Sequence, residues 1–581
     1  MQLRGIGKNN RRCFPFMLYS DKGGIHMART VSIGEQYFDE LIKRNNFYID
    51  KTYFIKEWWE NDDVVTLITR PRRFGKTLNM SMLECFFSVK YKEKGSIFEK
   101  LAIWQEEKYR ELQGTYPVIA LSFAGVKAGN YPDAREQIFQ IITDLYIKNE
   151  YLTESGKLGK KDIDYYDRIG HNMSNSDAVM ALHHLSDYLS RYYGKKVIIL
   201  LDEYDTPMQE AYVSGYWDEM VTFTRGLFNT TFKTNPYMER AIMTGITRIS
   251  KESLFSDLNN LKVITTTSKK YASCFGFTEE EVFAAMDEFG LANKDEAKKW
   301  YDGFTIGDVH DIYNPWSIIN FLDEGKLATY WANTSSNGLA GNLLRKGSED
   351  IKMQFEDLLH DRTIKSKIDE EIVFNQLDED ETAVWSLLLA SGYLKVVNVE
   401  DEIYELELTN YEVKKMFYKM VNAWFKQGVS NYNKFIKALL LGDVDAMNDY
   451  MNELAGTMFG SFDGGKKPSA KTSPERFYHG FVLGLLVDLT GRYEMTSNRE
   501  SGFGRYDVML CPNNPAEDDG IILEFKVYNP RRETTLEETV QSALLQIEEK
   551  KYEQTLMDRG VEQERIRKYG FAFEGKNVLI R

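Results

Sequence analysis

The sequence predicts an α/β fold class in which a parallel-sheet domain is followed by a smaller α+β domain. Three observations predict it. Apolar segments typical of buried strands alternate with helical segments through the first half of the chain. One of them, "DVVTLITR", runs directly into a glycine-containing loop and then into a helix. A stretch rich in glycine, serine, proline and lysine after residue 460 precedes a compact final segment of helices and strands.

The parallel sheet is predicted from four segments that have the composition of strands. In chain order they are "DVVTLITR", "YPVIALSFAG", "KKVIILLDEYD" and "ERAIMTGITRIS". The third is apolar at successive positions, as a strand covered on both faces of a parallel sheet should be. Helical segments separate the four, so the first half of the chain is predicted to be a parallel α/β domain.

Composition along the chain predicts five segments. We expect a loosely held extension at residues 1–26 and the α/β domain at residues 27–340. Residues 341–460 combine helices with short strands around "GYLKVV" and "IYELEL", which is typical of a winged-helix-like module. The stretch 461–474 is predicted to be a linker, and residues 475–581 an α+β domain.

Bulk composition excludes several classes of protein. With 581 residues the chain is too long for one hydrophobic core. Its 43% hydrophobic content, with only 12 prolines, disfavours intrinsic disorder. A net charge of -15 argues against a protein that coats nucleic acid, although a local basic groove stays compatible with it. The apolar runs, such as "VIILL", are far shorter than a membrane span.

Cysteine usage favours a reducing compartment. Cys13, Cys85, Cys274 and Cys511 are scattered and form no C-x-x-C pair, which disfavours a zinc site or a disulfide framework. The opening residues are basic but carry no sustained apolar stretch of the kind a signal peptide needs. We therefore expect a cytoplasmic protein without a membrane partner.

The loop "RPRRFGKT" at residues 70–77 ends like a phosphate-binding loop. Gly75, Lys76 and Thr77 supply the G-K-[ST] ending, but Arg70 stands where the first glycine of G-x-x-x-x-G-K-[ST] belongs. Backbone N–H groups at a helix start bind phosphate, Lys76 would reach the β and γ phosphates, and Thr77 would offer its hydroxyl to Mg²⁺. Further phosphate contacts are expected from the arginines of the loop, which are Arg70, Arg72 and Arg73.

An acidic pair far downstream strengthens this interpretation. The buried strand "VIILL" ends in Asp202 and Glu203, where a carboxylate that coordinates Mg²⁺ belongs. Glu203 would orient or deprotonate the attacking water. The alternative is that the two carboxylates only cap a nearby helix.

The motifs "RPRRFGKT", "LLDEYDTP", "GITRIS", "YDGF", "YNPWSI" and "YWANTSSN", in this order, resemble the bacterial AAA-ATPase-like domain family. The resemblance covers roughly residues 30–340 and implies a P-loop ATPase core. It implies that Thr244, Thr247 or Arg248 lies where such ATPases sense the γ-phosphate. A guanidinium at Arg248 would stabilise charge during phosphoryl transfer. A surface ion pair between Arg248 and Glu252 is the alternative.

The second candidate site lies in the final segment. Side chains alternate along a strand, so Glu524 and Lys526 of "GIILEFKVYN" share one face while Phe525 points to the other. A partly exposed ion pair at a sheet edge would explain these two charges without chemistry. Asp507 is expected near the middle of the preceding strand "GFGRYDVMLC", where a charge is costly. If the two strands are neighbours, Asp507 and Glu524 can converge on Mg²⁺ or Mn²⁺.

This D…E-x-K arrangement resembles the PD-(D/E)XK nuclease superfamily over about residues 470–581. The resemblance implies that Asp507 and Glu524 are metal ligands, that Lys526 is the catalytic lysine and that Glu475 supports the metal. Gln546, in the run "ALLQIEEKKY", would contact substrate or hold the site; a helix-surface role is the alternative. Tyr506 stands where the leading proline of the superfamily is expected.

Together these motifs predict a protein that binds and hydrolyses ATP and in which the nucleotide controls a nuclease that uses Mg²⁺ or Mn²⁺. ATP and the divalent cation are the expected cofactors. Nucleic acid is the expected partner, with DNA favoured over RNA, and an arginine acting across subunits would be compatible with a homo-oligomer. The alternatives are a nucleotide-sensing switch whose last domain binds nucleic acid or protein without cutting, and an inactive scaffold.

Overall fold

The structure is a computed structural model, and it describes part of the chain. The described residues are 17–19, 25–27, 29–247, 254–255, 258–332, 340–341, 343–344, 348–359, 361–369, 380, 382–426, 432–459, 482, 486, 489, 492–497, 500–501, 504–505, 507–574 and 577–581. The chain divides into two compact units. The first comprises residues 1–335, 368–395 and 409–412, and the second comprises residues 336–367, 396–408 and 413–581.

The β-strands of the described residues are, in chain order, β1 Met17–Tyr19, β2 Ile25–Met27, β3 Val65–Thr69, β4 Val118–Ser122, β5 Val197–Asp202, β6 Met238–Gly245, β7 Leu261–Ile264, β8 Phe277–Thr278, β9 Phe304–Ile306, β10 Val309–Tyr313, β11 Ile364–Lys367, β12 Leu394–Glu400, β13 Ile403–Leu408, β14 Tyr493–Ser497, β15 Glu500–Ser501, β16 Gly504–Arg505, β17 Val508–Pro512, β18 Gly520–Val527, β19 Ile566–Glu574 and β20 Asn577–Ile580.

The α-helices of the same residues are α1 Phe38–Lys43, α2 Tyr53–Asn61, α3 Lys76–Phe87, α4 Glu107–Leu112, α5 Tyr131–Lys148, α6 Lys160–Tyr166, α7 Asn175–Tyr193, α8 Thr206–Ser214, α9 Trp217–Phe228, α10 Glu279–Phe289, α11 Lys294–Tyr301, α12 Pro315–Glu324, α13 Glu349–Leu359, α14 Ala383–Ala390, α15 Tyr411–Lys426, α16 Tyr432–Leu441, α17 Val444–Phe459, α18 Leu536–Glu549 and α19 Glu553–Met557.

The first unit is built on a five-stranded sheet with strand order β4-β5-β6-β3-β7. All its pairings are parallel, which confirms the α/β prediction. Every residue of β3 and β5 is buried, as the continuous apolar runs of their sequences require. Strand β7 was not predicted, because this edge strand is partly exposed and carries a weak apolar signal.

The sheet brings three strand ends to one edge. Thr69 at the end of β3 pairs with Gly245 at the end of β6, and Leu201 of β5 pairs with Met243 of β6. Parallel strands present their carboxyl ends together, so the loops after β3, β5 and β6 meet there. This edge positions the first candidate site.

A small antiparallel sheet with strand order β8-β10-β9 also belongs to the first unit. It packs with α10, α11 and α12 around a second apolar core that includes Phe47, Met286, Tyr301 and Phe321. The pairing of β10 with β9 is interrupted by a bulge between Val309 and Ile312.

The region predicted to resemble a winged helix contains α13 to α17 and a three-stranded sheet with order β11-β13-β12. The two expected short strands are present as β12 and β13. The winged-helix-like assignment and the five predicted segment boundaries stay predictions. The predicted linker at 461–474 lies outside the described residues.

The second unit ends in a five-stranded sheet with order β14-β17-β18-β19-β20, which confirms the predicted C-terminal α+β arrangement. Strands β18 and β19 are parallel, and the other pairings are antiparallel. Helix α18 packs closely on β19: a Cβ atom at Gly570 would lie 2.9 Å from the carbonyl oxygen of Val540. Glycine therefore allows the helix to approach the strand that neighbours β18.

Hydrophobic helices of membrane-spanning length are absent from the part of the chain that the structure describes.

Candidate functional site

The phosphate-loop sequence forms the turn between β3 and α3. The loop leaves β3 after Thr69, and α3 begins at Lys76. Gly75 is the N-cap residue and has a φ of 81°, a left-handed conformation that side chains other than glycine adopt at a cost. The strand, loop and helix thus have the order that a phosphate loop needs, with the positive end of the α3 dipole at the loop.

The Lys76 side chain is held inside the loop. Its Nζ donates hydrogen bonds to the carbonyl oxygens of Arg70 (3.0 Å) and Pro71 (2.9 Å). Burial lowers the pKa of this ammonium, whereas the carboxylates of Glu203 and Asp202 favour its charged form. The ammonium is therefore buried, fixed by the loop and close to the acidic pair after β5.

Asp202 connects the loop to two strands. Its Oδ2 accepts a hydrogen bond of 2.7 Å from the hydroxyl of Thr77, and its Oδ1 accepts one from the hydroxyl of Thr244 at the end of β6. The carboxylate is buried, and burial raises its pKa while the two hydroxyls act in the opposite direction. The structure thus brings Thr77 and Asp202 together, as their predicted common role toward Mg²⁺ requires.

Glu203 follows Asp202 in a constrained turn. Its φ is 49°, which is costly for a residue with a Cβ atom. Its Oε2 accepts a hydrogen bond of 3.3 Å from the hydroxyl of Thr206, in the first turn of α8. The side chain is half-buried, and its role toward an attacking water stays a prediction.

The first arginine of the loop does not have the orientation expected of a phosphate ligand. Arg70 is fully buried, and its Nη1 donates to the carbonyl oxygens of Thr69 and Thr265, both at 2.8 Å. Its guanidinium also lies 5.6 Å from the ring centroid of Phe275. The expectation that Arg70 contacts phosphate is therefore wrong, because its donors are directed at backbone carbonyls that support the loop.

The other arginines differ from Arg70. Arg72 is half-buried and its Nη2 donates to Gln209 on α8 at 3.3 Å. Arg73 is exposed, and its guanidinium lies 4.3 Å from the ring centroid of Trp316. Their predicted phosphate contacts stay predictions. Arg248 lies outside the described residues.

The second candidate site lies beside the start of β17, where this strand pairs with β18. The sequence predicted one strand through Asp507, but β17 begins only at Val508. Val508 pairs with Leu523, so Asp507 is placed opposite Glu524 on the neighbouring strand. Asp507 Oδ2 accepts the backbone N–H of Phe525 at 2.8 Å. The strand prediction was wrong at Asp507. The N–H of Phe525 donates to the Asp507 side chain, whereas in a continued strand pair it would donate to a backbone carbonyl oxygen.

Glu524 is buried with two polar neighbours. Its Oε1 accepts a hydrogen bond from Nε2 of Gln546 on α18, and the same nitrogen lies 3.3 Å from the Tyr552 hydroxyl. Burial raises the pKa of Tyr552, and the charges of Glu524 and Asp507 raise it further. Gln546 thus faces the carboxylate pair, and the alternative of a plain helix-surface residue is wrong.

Lys526 lies on the same face of β18 as Glu524, two residues further along the strand. Phe525 points to the other face, where its ring packs on Phe571 and Phe573 at centroid distances of 4.9 and 6.1 Å. Lys526 borders a cleft of about 540 Å³ whose other lining residues are Thr535, Glu537, Glu538, Gln541, Ser542, Leu545, Gln546, Glu549 and Lys550. Glu475, the predicted first-helix acid, lies outside the described residues.

The chemistry of these donors fits a divalent cation. Asp507 directly precedes β17 and binds the N–H of Phe525, the residue next to Glu524, so both carboxylates lie along the same part of β18. Carboxylate oxygens are the donors that Mg²⁺ and Mn²⁺ prefer. The hydrogen bond from Gln546 orients Glu524, as partners of metal-binding carboxylates commonly do.

An acidic cluster that sequence reasoning missed lies in the first unit. Oxygens of Glu279 at the start of α10, Asp302 just after α11 and Asp311 within β10 lie within 4.8 Å of one another. Lys298 Nζ contacts Glu279 and lies 3.5 Å from Asp311 and 3.9 Å from Asp302. The protein therefore supplies a cation to this cluster. Their spacing in the sequence carries no signal, because only the folding of the small sheet brings these residues together.

Comparison with known protein families gives a match at each end of the chain. Residues 32–255 match the family model described as "Predicted AAA-ATPase", and residues 473–581 match that of the PD-(D/E)XK nuclease superfamily. An AAA-ATPase-like domain and a PD-(D/E)XK domain are thus present, in the predicted order. The chain is also 24% identical over 394 residues to a protein of Azotobacter chroococcum mcd 1 named "Uncharacterized protein in vnfD 5'region". That similarity spans 66% of this chain and 68% of the relative.

Proposed function

We propose that this protein is an ATP-hydrolysing switch that controls a metal-dependent nuclease carried on the same chain. The observation that carries the proposal is the position of Asp507, which lies opposite Glu524 and binds the N–H of Phe525. That bond holds the turn before β17 against the strand that presents Glu524 and Lys526. Two carboxylates and a lysine are thereby grouped around the second half of β18, and a divalent cation held there would serve hydrolysis of a phosphodiester.

Each side chain at this second site has a separate proposed role. Asp507 and Glu524 would hold Mg²⁺ or Mn²⁺, and such a cation supplies an activated water and neutralises charge on the phosphate. Gln546 keeps the Glu524 carboxylate oriented through its hydrogen bond to Oε1. Lys526 would offset the negative charge that develops on the phosphate oxygens during cleavage.

The residues of the nucleotide site also have separate proposed roles. The backbone of the loop and the ammonium of Lys76 would bind the phosphates of ATP. Thr77 and Asp202 would hold Mg²⁺, and their mutual hydrogen bond already places the hydroxyl beside the carboxylate. Glu203 would orient the attacking water, and Arg72 and Arg73 border the loop where further phosphate contacts are expected. Control of cleavage by nucleotide is proposed because both sites are encoded in one chain.

Nucleic acid is the proposed substrate, with DNA favoured over RNA. The test is cleavage of labelled DNA and RNA, in single- and double-stranded forms, by the full-length protein. Reactions contain Mn²⁺ or Mg²⁺ with and without ATP, and compare the wild type with Lys526→Ala and Lys76→Ala. Lys437→Ala, at an exposed lysine on α16, is the matched control.

We expect cleavage to be lost in Lys526→Ala, altered in its ATP response in Lys76→Ala and unchanged in Lys437→Ala. Equal cleavage by the wild type and Lys526→Ala would show that a contaminating nuclease or another site cuts the substrate. Cleavage that ignores ATP in the wild type would refute nucleotide control while leaving the nuclease assignment in place.

A second candidate function is a nucleotide-sensing switch whose last domain binds a partner without cutting. The cleft beside Lys526 favours it, because Glu537, Glu538 and Glu549 line that cleft and would repel a phosphate backbone. In that case ATP is bound or hydrolysed, yet no DNA or RNA in the panel is cleaved with either metal.

A further inference from the structure

Asp205 is a buried carboxylate that neither candidate site includes. It lies after β5 and occupies the N-cap position of α8, where an aspartate ordinarily accepts a hydrogen bond from its own helix. No such side-chain cap is formed. The residue is fully buried, and its carboxylate is directed elsewhere.

The carboxylate of Asp205 holds the turn that follows β6. Its Oδ2 accepts the backbone N–H groups of Ile246 and Thr247, each at 2.9 Å, and the hydroxyl of Thr247 at 3.0 Å. Nε2 of Gln209, one turn along α8, donates to the same oxygen at 3.0 Å. One oxygen of Asp205 therefore holds two consecutive backbone N–H groups of the turn after β6, and it joins this turn to the start of α8.

The turn held by Asp205 carries two contacts to the nucleotide site. The carbonyl of Gly245 accepts the backbone N–H of Arg70, the first residue of the phosphate loop, at 3.1 Å. One residue earlier, the hydroxyl of Thr244 donates to Asp202. A shift of this turn would therefore move both the start of the loop and the orientation of the Asp202 carboxylate.

The packing at the turn is tight and electrostatically costly. A Cβ atom at Gly245 would lie 2.8 Å from Asp205 Oδ1 and 2.6 Å from the Tyr204 ring. Within the described residues, this Oδ1 is buried without a hydrogen-bond partner, and a buried polar atom in that state costs stability. Burial raises the pKa of Asp205, while the two N–H groups and Lys76 favour its charged form.

We infer that Asp205 is a positioning residue of the nucleotide site: its carboxylate fixes the Gly245–Thr247 turn, so that Gly245 anchors the phosphate loop and Thr244 orients Asp202. The inference rests on the proposed binding of ATP with Mg²⁺. It assigns Asp205 to the support of Mg²⁺ coordination, and it assigns no contact between Asp205 and nucleotide.

The test measures how Mg²⁺ changes the affinity of the full-length protein for a fluorescent ATP analogue. The variants are Asp205→Ala, which removes the acceptor, and Asp205→Asn, which keeps an oxygen for the two N–H groups. Asp218→Asn, at an exposed aspartate on α9, is the control. Thermal unfolding of each variant is recorded in parallel.

We expect the gain in affinity on adding Mg²⁺ to fall by about 10–100-fold in Asp205→Ala, the range found for residues that orient metal ligands. Asp205→Asn should recover part of the gain, and affinity without Mg²⁺ should fall by a smaller factor, because the start of the phosphate loop also loses its anchor at Gly245. If Mg²⁺ increased the affinity of Asp205→Ala for the ATP analogue as much as it does for the wild type, the inference would be overturned. So would equal losses of affinity with and without Mg²⁺, since these indicate general damage to the fold. Absence of nucleotide binding by the wild type would instead refute the proposed ATP site itself.

Discussion

The hydroxyl of Thr77 donates a hydrogen bond of 2.7 Å to Asp202 Oδ2, across 125 positions of sequence. Thr77 is the second residue of α3, and Asp202 is the last residue of β5. The bond joins the phosphate loop to the acidic strand end, so the two motifs form one site. Its geometry leads to the first prediction.

Replacing Thr77 by valine should reduce ATP turnover by at least about 10–100-fold, because the site loses both the hydroxyl proposed to hold Mg²⁺ and the hydrogen bond that orients the Asp202 carboxylate. Serine at the same position keeps the hydroxyl and should retain most of the activity. The measurement is phosphate release at saturating ATP over a series of Mg²⁺ concentrations. Equal turnover by the valine and serine variants would contradict a role for the hydroxyl.

Replacing Gln546 by alanine should weaken the second site, because Glu524 would lose the side chain that orients its Oε1. We expect the Mn²⁺ concentration for half-maximal cleavage to rise by about 10–100-fold. Glu548→Ala, at an exposed residue of the same helix that does not line the cleft, is the control. A change of similar size in both variants would indicate that the helix as a whole, and not the contact to Glu524, matters.

Arg70→Gly restores the missing glycine of the phosphate-loop pattern, yet it should destabilise the protein. Arg70 is fully buried and binds two carbonyl oxygens at 2.8 Å, and its loss leaves those acceptors and a cavity behind. We expect a loss of about 2–4 kcal/mol in the free energy of unfolding. Arg73→Gly should change stability far less, because Arg73 is exposed and has a φ of 64°, which glycine tolerates better.

The comparison is made by chemical unfolding of both variants. Burial lowers the pKa of the Arg70 guanidinium to about 10, so the side chain is still charged at neutral pH. Equal stabilities of Arg70→Gly and Arg73→Gly would show that the buried guanidinium does not support the loop.

Asp302 should make stability depend on pH. Burial first, and then the neighbouring Asp311, raise the pKa of Asp302 from 3.8 to about 7. Between these two values the folded chain binds more protons at this position than the unfolded chain does. The contribution of Asp302 to stability therefore falls as pH rises from about 4 to about 7.

Thermal unfolding between pH 4.5 and 8 checks this prediction. Asp302→Asn should unfold at a higher temperature than the wild type at pH 7.5, and the difference should shrink toward pH 5. Asp295→Asn, at an exposed aspartate on α11, should show no such trend. A wild type and an Asp302→Asn variant with parallel pH profiles would contradict the shifted pKa.

Local patterns were sufficient for much of the fold. The buried strands β3, β5 and β6 were predictable because continuous apolar runs bounded by turns have few alternative structures. Gly75, Lys76 and Thr77 are consecutive, so their common site could be predicted without the fold. The pairing of β17, which follows Asp507, with β18, which carries Glu524, was also predictable, since neighbouring strands in a sequence are commonly neighbours in a sheet.

Errors arose where a side chain acts over a long distance in sequence. Asp507 was placed inside a strand, because the sequence does not show that its carboxylate binds the Phe525 N–H. Arg70 was expected to contact phosphate because it belongs to the phosphate-loop sequence. Its actual acceptor, the carbonyl oxygen of Thr265, lies 195 positions away in the sequence and could not be predicted from it.

The sequence by itself determined the two chemical constellations, because each depends on residue type at short spacing: a glycine-lysine-threonine turn after an apolar strand, and a glutamate and lysine two apart on another. Only the tertiary structure decided what supports them. Arg70, Asp205 and Gln546 act through buried hydrogen bonds to groups brought near by the sheets. Such bonds gain their strength from burial, and burial is a property of the packed chain that no local pattern specifies.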